Sequence, residues 1–474
     1  MRYINLSRRR AAGVSVLVAA LAAGACGDIE VPDYNRAGTA DLINNPNATL
    51  VNAASAGLIQ NARRDAANRV RLAGIVGKEG YYLDANEPRY VNELVTGNID
   101  PSSFAGNHDY SNPYGTLAQG QILLTAIDKV GANEYTAAQR EALRGFAKTM
   151  MGNDMLIIAY LHQYGPTEVN EDPLAPPAPM KTQAEMYARA AQLLDEAVPH
   201  LKAGGSSFTF PMPSGFTQFS AAGFTNPSGG FLKFNRALRV RLDMMRRDYP
   251  AARAHIDSTF ISTSSGSRAE LNTGVYYTYS TGSGDLQNAL SAGAPEVADP
   301  TLKTQAQLQP SGARDQRFLL KVDSSGAVRT MSNISSNLRF TLYRTNPFFG
   351  AGGGASPIPI IRNEELILFR AEARWFTGDR PGAMADLNFV RQNSGGLAPV
   401  AQPATDAEFI DLLLYERRYS VLYEGGWRWL DLRRFGLLSR LDNYPRQGDK
   451  APQFFPVPFP ECLARGGAGA APGC

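Results

Sequence analysis

Residues that could carry out acid–base or metal chemistry are few and scattered in this sequence. The chain of 474 residues has four histidines, His108, His162, His200 and His255, and none lies at a metal-ligand spacing from another. The sequence also lacks the common nucleophile, zinc-protease and phosphate-loop motifs. Carboxylates from distant positions can still act as a pair, as in glycosidases. The sequence therefore favours binding over catalysis, and we expect no cofactor and no bound metal.

Two tyrosine clusters are the best candidates for a binding site. Ligand sites commonly combine aromatic rings with a few polar side chains, and both clusters offer this combination. We predict ligand contact at both clusters, and the alternatives are loop packing or contact with a partner protein. The first cluster comprises Tyr81, Tyr82, Asp84, Asn86 and Arg89, and the second comprises Tyr276, Tyr277 and Tyr279, with Asp285 and Gln287 nearby.

Residues 1–25 have the layout of a secretory signal peptide. A basic start to Arg10 is followed by the apolar run Ala11 to Ala25, which is too short for a transmembrane helix. The small residues before Cys26 resemble a bacterial lipobox, although Ala23 stands where leucine is preferred. An acylated Cys26, carrying chains such as palmitate, would tether the protein to a membrane. Ordinary signal cleavage with an unused Cys26 is the alternative.

The other two cysteines, Cys462 and Cys474, lie close together in a tail rich in glycine and alanine. In an oxidising compartment they could form a disulfide. The alternative is two free thiols in a poorly ordered end.

The composition indicates a large folded protein that is close to neutral. Hydrophobic residues make up 44% of the chain and charged residues 19%, enough to bury a sizeable core. The formal net charge of +3 includes four arginines of the signal segment, so the remainder has almost no net charge. Nucleic-acid binding would need a basic stripe, and we exclude it.

Three segments begin with the same helix-start signal, a threonine followed three places later by Glu or Gln. The threonine hydroxyl can accept a hydrogen bond from the first turn while the later side chain reaches back. Each is followed by apolar residues at helical spacing. The three pairs are Thr136 with Gln139, Thr182 with Glu185, and Thr405 with Glu408.

An internal repeat predicts stacked pairs of helices. Arg247 to Asp257 lines up with Gly378 to Asn388, with Asp, Pro and Ala at matching positions. Each copy follows a helical run and places a proline where a second helix would begin. This pattern is typical of tetratricopeptide-like repeats. We therefore predict a mainly α fold of such helix pairs with long loops and a few short strands.

The segment from Asp257 to Pro357 differs from the rest because it is long, polar and rich in tyrosine. We predict strands there at Val275–Tyr279, Phe318–Val322 and Arg339–Tyr343. We expect residues 26–474 to form a single domain. Its parts are a helical half at roughly 40–260 and 357–400, an irregular insertion at roughly 258–356, and a carboxy-terminal motif region at 400–461.

Three stretches near the carboxy terminus resemble the SusD/RagB family. The first runs from Arg362 to Ala373 and continues through Gly378-Asp379. The second, Tyr415 to Gly436, contains Glu-Arg-Arg, then Glu-Gly, Asp-Leu and a final glycine. The third is the proline-rich Phe455 to Glu461. Earlier helical segments are similar more loosely, so the resemblance extends over most of the chain outside the insertion.

The resemblance implies both a fold and a function. Members of this family are mostly helical lipoproteins of the bacterial outer membrane that face outside. They bind a nutrient, commonly a glycan or another oligomer, and deliver it to a SusC-like TonB-dependent transporter. The alternatives for this chain are a lipid-anchored polysaccharide hydrolase and a repeat scaffold for protein–protein binding.

The second of these stretches is dense in charge, and we interpret it as structural. Arginine suits bidentate pairing with carboxylates, and such pairs would satisfy charges near the core. We likewise expect the three tryptophans, Trp375, Trp427 and Trp429, to pack in the core. The charged residues are Glu416, Arg417, Arg418, Glu424, Arg428, Asp431, Arg433 and Arg434.

Overall fold

Helices dominate the protein, as predicted. The computed structural model describes residues 39–104, 108–170, 175–291, 295–345, 348–349 and 352–474. The signal segment and Cys26 lie outside these residues. The helices are α1 (Thr39–Asn44), α2 (Ala48–Arg63), α3 (Ala66–Val76), α4 (His108–Lys129), α5 (Ala137–Leu161), α6 (Gln183–Ala203), α7 (Leu232–Met245), α8 (Tyr249–Ile256), α9 (Arg268–Leu271), α10 (Thr301–Gln305), α11 (Gln316–Lys321), α12 (Asn363–Phe376), α13 (Arg380–Asn393), α14 (Asp406–Ser420), α15 (Trp427–Arg434) and α16 (Phe459–Ala464).

The strands are short and pair only as two-stranded antiparallel ladders among the described residues. The pairs are β1 with β5, β2 with β3, β4 with β10, β6 with β9, and β7 with β8. The strands are β1 (Gly80–Tyr82), β2 (Tyr164–Pro166), β3 (Met180–Thr182), β4 (Gly274–Tyr277), β5 (Glu296–Ala298), β6 (Val322–Asp323), β7 (Arg329–Met331), β8 (Ile334–Ser336), β9 (Arg339–Phe340) and β10 (Ile358–Arg362).

Helices that follow one another along the chain pack side by side. Helix α5 packs on α4 and α6, α6 on α7, α7 on α8, and α12 on both α8 and α13. Gly152 of α5 faces Leu194 of α6, where a Cβ atom would come within 2.8 Å of the leucine Cγ. The missing side chain lets the two helices approach closely.

The predicted helix starts are confirmed. Thr136, Thr182 and Thr405 each form a complete capping box with the Glu or Gln three places on. These boxes begin α5, α6 and α14.

The predicted repeat is also confirmed. In both copies an aspartate caps the second helix: Asp248 accepts a hydrogen bond from Ala251 N at 3.2 Å, and Asp379 from Gly382 N at 3.0 Å. A proline occupies the first turn of each second helix. The two copies, α7–α8 and α12–α13, contact each other although the insertion separates them in sequence.

The strand predictions in the insertion were only partly right. Val275–Tyr279 corresponds to β4, and only Arg339 and Phe340 of the third segment form a strand. The prediction of a strand at Phe318–Val322 was wrong, because residues 316–321 form helix α11 and only Val322 begins a strand. Asp315 caps that helix by accepting from Arg317 N at 2.9 Å, a local signal that outweighs the β-branched and aromatic side chains.

The carboxy-terminal tail is tied back on itself. Cys462 and Cys474 form a disulfide, with their sulfur atoms 2.09 Å apart. The bridge packs in a small apolar cluster with Tyr110 and Val457.

Within the described ranges, no helix combines the length and apolar character needed to cross a bilayer.

Candidate functional site

The charged carboxy-terminal stretch is buried, and its charges are paired. Glu372 of α12 binds Arg417 at 2.7 Å and Arg434 at 2.6 Å. Asp431 of α15 binds the same two arginines at 3.0 and 2.8 Å. Burial alone would lower the pKa of Arg434, but the two carboxylates raise it above its ordinary range. These residues hold α12, α14 and α15 together, which confirms the structural interpretation.

A second buried cluster joins the insertion to the same helices. Glu424 binds Lys321 of α11 and Arg362 of β10, each at 2.7 Å. Arg362 also pairs with Glu364. Burial would raise the pKa of Glu364, but Arg362 and Lys321 lower it to about 2. The carboxylates of this cluster are therefore committed to neighbours in the core.

Several other charged and aromatic residues of the motif region are structural as well. Glu416 binds Arg317 at 2.6 Å and Arg391 at 2.8 Å. Arg433 donates to Gln453 O at 2.7 Å. Trp375, Trp427 and Trp429 are buried in the core, as predicted.

The first tyrosine cluster is split by the alternation of strand β1. Tyr81 points inward, is fully buried and donates to Asp299 Oδ2 at 2.6 Å. Tyr82 points to the opposite face and is half-buried. Of this tyrosine pair, only Tyr82 is partly exposed.

Tyr82 belongs to a row of three aromatic rings that sequence reasoning did not identify. Its ring centroid lies 4.5 Å from that of Tyr90, and Tyr90 lies 4.9 Å from Phe104. All three rings are half-buried, so each keeps part of its surface open. We call Tyr82, Tyr90 and Phe104 the aromatic row. It arises because β1, the π-helix Tyr90–Val95 and the turn at Phe104 converge.

Two arginines border the aromatic row. The guanidinium of Arg71 lies 4.9 Å above the Tyr82 ring, and that of Arg89 lies 4.7 Å from the Phe104 ring. Arg71 is fixed by Glu296 at 3.0 Å, whereas Arg89 is exposed and pairs with Glu87 at 2.6 Å. Burial raises the pKa of Tyr82 and of Tyr90 above the ordinary value, so both hydroxyls stay protonated at neutral pH.

The polar members of the first cluster lie in the turn between β1 and the π-helix. Asp84 is half-buried and accepts from Asn86 N at 3.0 Å. Asn86 and Arg89 are exposed. The turn therefore presents hydrogen-bonding groups beside the aromatic row, the combination that a sugar ring requires.

The second tyrosine cluster lies in the core. Tyr276, Tyr277 and Tyr279 are 0%, 4% and 7% exposed. Tyr276 stacks on Phe219 with ring centroids 3.8 Å apart, and Tyr279 donates to Arg63 O at 3.1 Å. In the described structure these rings are buried beneath the surface, and Tyr276 is the one of the three that lines the groove above them.

That surface is an open polar groove of about 470 Å³ at the end of α2. Arg63 forms its wall by pairing with Asp285 and donating to Thr278 O. Gln60, Ser214 and Ser283 add further polar groups. We call it the Arg63 groove. The segment after Asp285 runs towards the aromatic row, since Ala289 O accepts from Arg71 at 3.1 Å.

The sequence signal for the row was weak because its members are far apart and follow no motif. Tyr90 opens a π-helix and Phe104 sits in a turn, and no periodicity relates them to Tyr82. The histidines also stay apart. His162 is buried against Asp109 and His200 pairs with Glu141. No group of three or more His, Cys, Asp or Glu side chains among the described residues is arranged to hold a metal ion.

The fold and the site together define a helical-repeat protein with a surface suited to binding. The SusD family model matches residues 297–457. A search of curated proteins finds no relative that matches this sequence.

Solved structures share the fold over most of both chains. A SusD superfamily protein from Bacteroides vulgatus has a TM-score of 0.68 and 14% identity, over 88% of this chain and 97% of its own. A laminarin binding SusD-like protein has a TM-score of 0.63 and 17% identity, over 88% and 98%. Surface glycan-binding protein A from Bacteroides uniformis has a TM-score of 0.61 and 15% identity, over 86% and 97%.

The family-model match over residues 297–457 and the fold shared with solved SusD superfamily structures agree with the resemblance seen in the sequence.

Proposed function

We propose that this protein binds a glycan at the aromatic row and does not alter it chemically. The observation that carries the proposal is the line of three half-open rings, Tyr82, Tyr90 and Phe104, beside polar groups of Asp84, Asn86 and Arg89. Aromatic faces pack against the C–H face of a sugar, while the polar groups take up its hydroxyls. The solved relatives described as laminarin binding and glycan-binding support the ligand class.

Three neighbouring rings suit an oligosaccharide better than a single sugar. Neighbouring centroids lie 4.5 and 4.9 Å apart, so the three rings offer contact to more than one sugar unit. The Arg63 groove continues the polar surface along the segment after Asp285. We expect affinity to rise with chain length until both surfaces are covered.

The test is titration calorimetry with a panel of oligosaccharides that includes laminarin fragments. Tyr82→Ala should weaken the binding of the best ligand about tenfold, or ~1.4 kcal/mol. Tyr164→Ala removes a half-exposed tyrosine of β2 and serves as the matched control, with affinity unchanged. Equal affinities for both variants and the unaltered protein would show that the row is not the site.

The absence of turnover is tested on the same ligands. After prolonged incubation, chromatography should return each oligosaccharide at its original length. Release of shorter products that is lost on replacing one carboxylate would favour the hydrolase alternative.

We further propose that the protein is anchored through an acylated Cys26, faces outward and delivers its ligand to a SusC-like TonB-dependent transporter. The lipobox-like sequence and the family relationship support this. Detergent extraction and affinity purification from the native host should recover a large outer-membrane barrel. Cys26→Ala should move the protein out of the membrane fraction. Recovery of soluble partners alone would contradict the transporter and favour the scaffold alternative.

A further inference from the structure

A second groove lies away from the aromatic row, between helices α14 and α15. It has a volume of about 210 Å³, room for one sugar ring but not for a folded partner. Arg418 and Arg428 line it, with Leu414, Tyr415, Leu432 and Asp431. We call it the arginine groove. The ion pairs described above do not neutralise every charged side chain that lines this groove.

Arg428 is the cation of this groove without a carboxylate partner. Among the described residues it forms no ion pair, and its one hydrogen bond runs from Nη1 to Lys78 O at 2.7 Å. Asp299 and Glu79 act on it only at longer range. Burial, together with the nearby Arg418, lowers the pKa of Arg428 to about 10, so it is still charged at neutral pH. An anion in the groove would relieve this repulsion.

Two buried polar atoms of the groove also lack partners within the described part of the chain. Arg418 is 9% exposed and donates to Thr301 Oγ1 at 2.6 Å and to Gln305, but its Nε finds no acceptor. Asp431 is 1% exposed, and its Oδ2 receives no hydrogen bond although Oδ1 binds two arginines. Buried polar atoms normally have partners, so the wall of the groove holds one donor and one acceptor that no described protein group satisfies.

The other acids of the groove are already neutralised. Asp411 at the rim pairs with Arg440 at 2.6 Å, and Asp431 is matched by Arg417 and Arg434. Arg418 is 3.6 Å from Asp299, which also accepts from two tyrosine hydroxyls. The groove therefore carries an excess of positive charge at Arg428.

The walls are partly apolar. Leu414 and Leu432 face the groove, and the hydroxyl of Tyr415 is occupied because it donates to Asp315 Oδ2 at 2.9 Å. A ligand must therefore combine one negative charge, an apolar face and at least one hydroxyl donor. A simple inorganic anion has the charge alone, whereas a carboxylated sugar has all three.

We propose that the arginine groove is a second saccharide subsite that binds one uronate residue, with its carboxylate on Arg428, a hydroxyl on Asp431 and its ring against Leu414. The subsite goes beyond the proposed function, on which it rests only for the class of ligand. It makes the protein selective for acidic glycans, because a neutral sugar would leave Arg428 unpaired.

The test uses the full mature chain with trigalacturonate and its fully methyl-esterified form, which has the same rings without the charge. Calorimetry should show that the ester binds at least tenfold more weakly. Arg428→Gln should weaken trigalacturonate binding by a similar factor. Leu414→Trp fills the groove without touching an ion pair and should do the same, so the test stands even if Arg428→Gln folds poorly. Arg253→Gln, a half-exposed arginine of α8, is the matched control and should bind as the unaltered protein does.

Other results would overturn the subsite. They are no binding of trigalacturonate, equal binding of acid and ester, equal binding of acetate and trigalacturonate, or affinity unchanged by both groove substitutions. Tyr82→Ala separates this proposal from the proposed function. If Tyr82→Ala abolishes trigalacturonate binding while Leu414→Trp leaves it intact, the sugar occupies the aromatic row and only the subsite fails.

Discussion

The buried charge network and the aromatic row use their side chains in opposite ways. Around Glu372 and Glu424, nearly every charge is removed from water and matched by a partner from another element of the fold. Around Tyr90, three rings keep part of their surface open and the neighbouring polar groups face solvent. The charge network within the clearest sequence motif is thus structural, whereas the aromatic row has no motif at all. In this protein, dense paired charge marks the structural core, and sparse aromatic residues mark the proposed binding surface.

The largest effect should come from breaking the network. Arg362→Met leaves the carboxylates of Glu364 and Glu424 buried with one partner fewer, which should lower the free energy of unfolding by about 4 kcal/mol. Urea denaturation measures this change in the free energy of unfolding. Arg380→Met removes an exposed pair with Asp406 and should cost less than about 1 kcal/mol. Similar losses for the two variants would contradict the contrast between buried and exposed charge.

Removing rings of the aromatic row should weaken glycan binding strongly and lower stability only slightly. The double change Tyr82→Ala and Tyr90→Ala should weaken glycan binding roughly a hundredfold, since two ring contacts are lost. The free energy of unfolding should fall by less than half as much as in Arg362→Met, because both rings are already half-exposed. Calorimetry and urea denaturation on the same samples separate the two effects. If the double variant unfolds as readily as Arg362→Met, the aromatic row is part of the structural core and not a binding surface.

A buried acid behind the network should make stability depend on pH. Burial raises the pKa of Glu79 to about 7, although Arg428 opposes the shift. The folded state therefore holds a proton that the unfolded state releases near pH 4.5, and stability falls as pH rises from about 4.5 to 7.

Glu79→Gln should remove this decline and raise the free energy of unfolding at pH 8 by on the order of 1 kcal/mol. At pH 4 the substitution should change little. Urea midpoints at pH 4, 6 and 8 measure the effect, with the exposed Glu168→Gln as the matched control. An equal change at all three pH values would show that Glu79 does not titrate in this range.

The smallest expected effect lies at the edge of the row. Arg89→Gln should weaken glycan binding roughly threefold through a lost hydrogen bond, and leave stability unchanged because the side chain is exposed. A loss as large as that of the ring substitutions would move the centre of the site from the rings to the turn.

The sequence predicted the helical core better than the candidate binding surface, for physical reasons. Capping boxes and the Asp–Pro starts of α8 and α13 are local signals. The structure contains the hydrogen bonds that these signals predict. Helix α11 was mistaken for a strand because Phe318 and Val322 favour strands, while the deciding feature is the Asp315 cap. The rings of the aromatic row come together through tertiary packing, which neither spacing nor composition can reveal. The second tyrosine cluster is buried for the same reason, since tertiary packing covers its rings and the sequence does not reveal this.

The pairing of β4 with β10 determines how the insertion is attached. Gly274 lies opposite Arg362 and Tyr277 opposite Ile358, so the long segment leaves the helical stack and rejoins it at adjacent positions. Its ends are thus clamped by a ladder of backbone hydrogen bonds, and the entropy of closing a loop grows only slowly with its length. The segment could therefore be lengthened or shortened with little strain on the helices beneath.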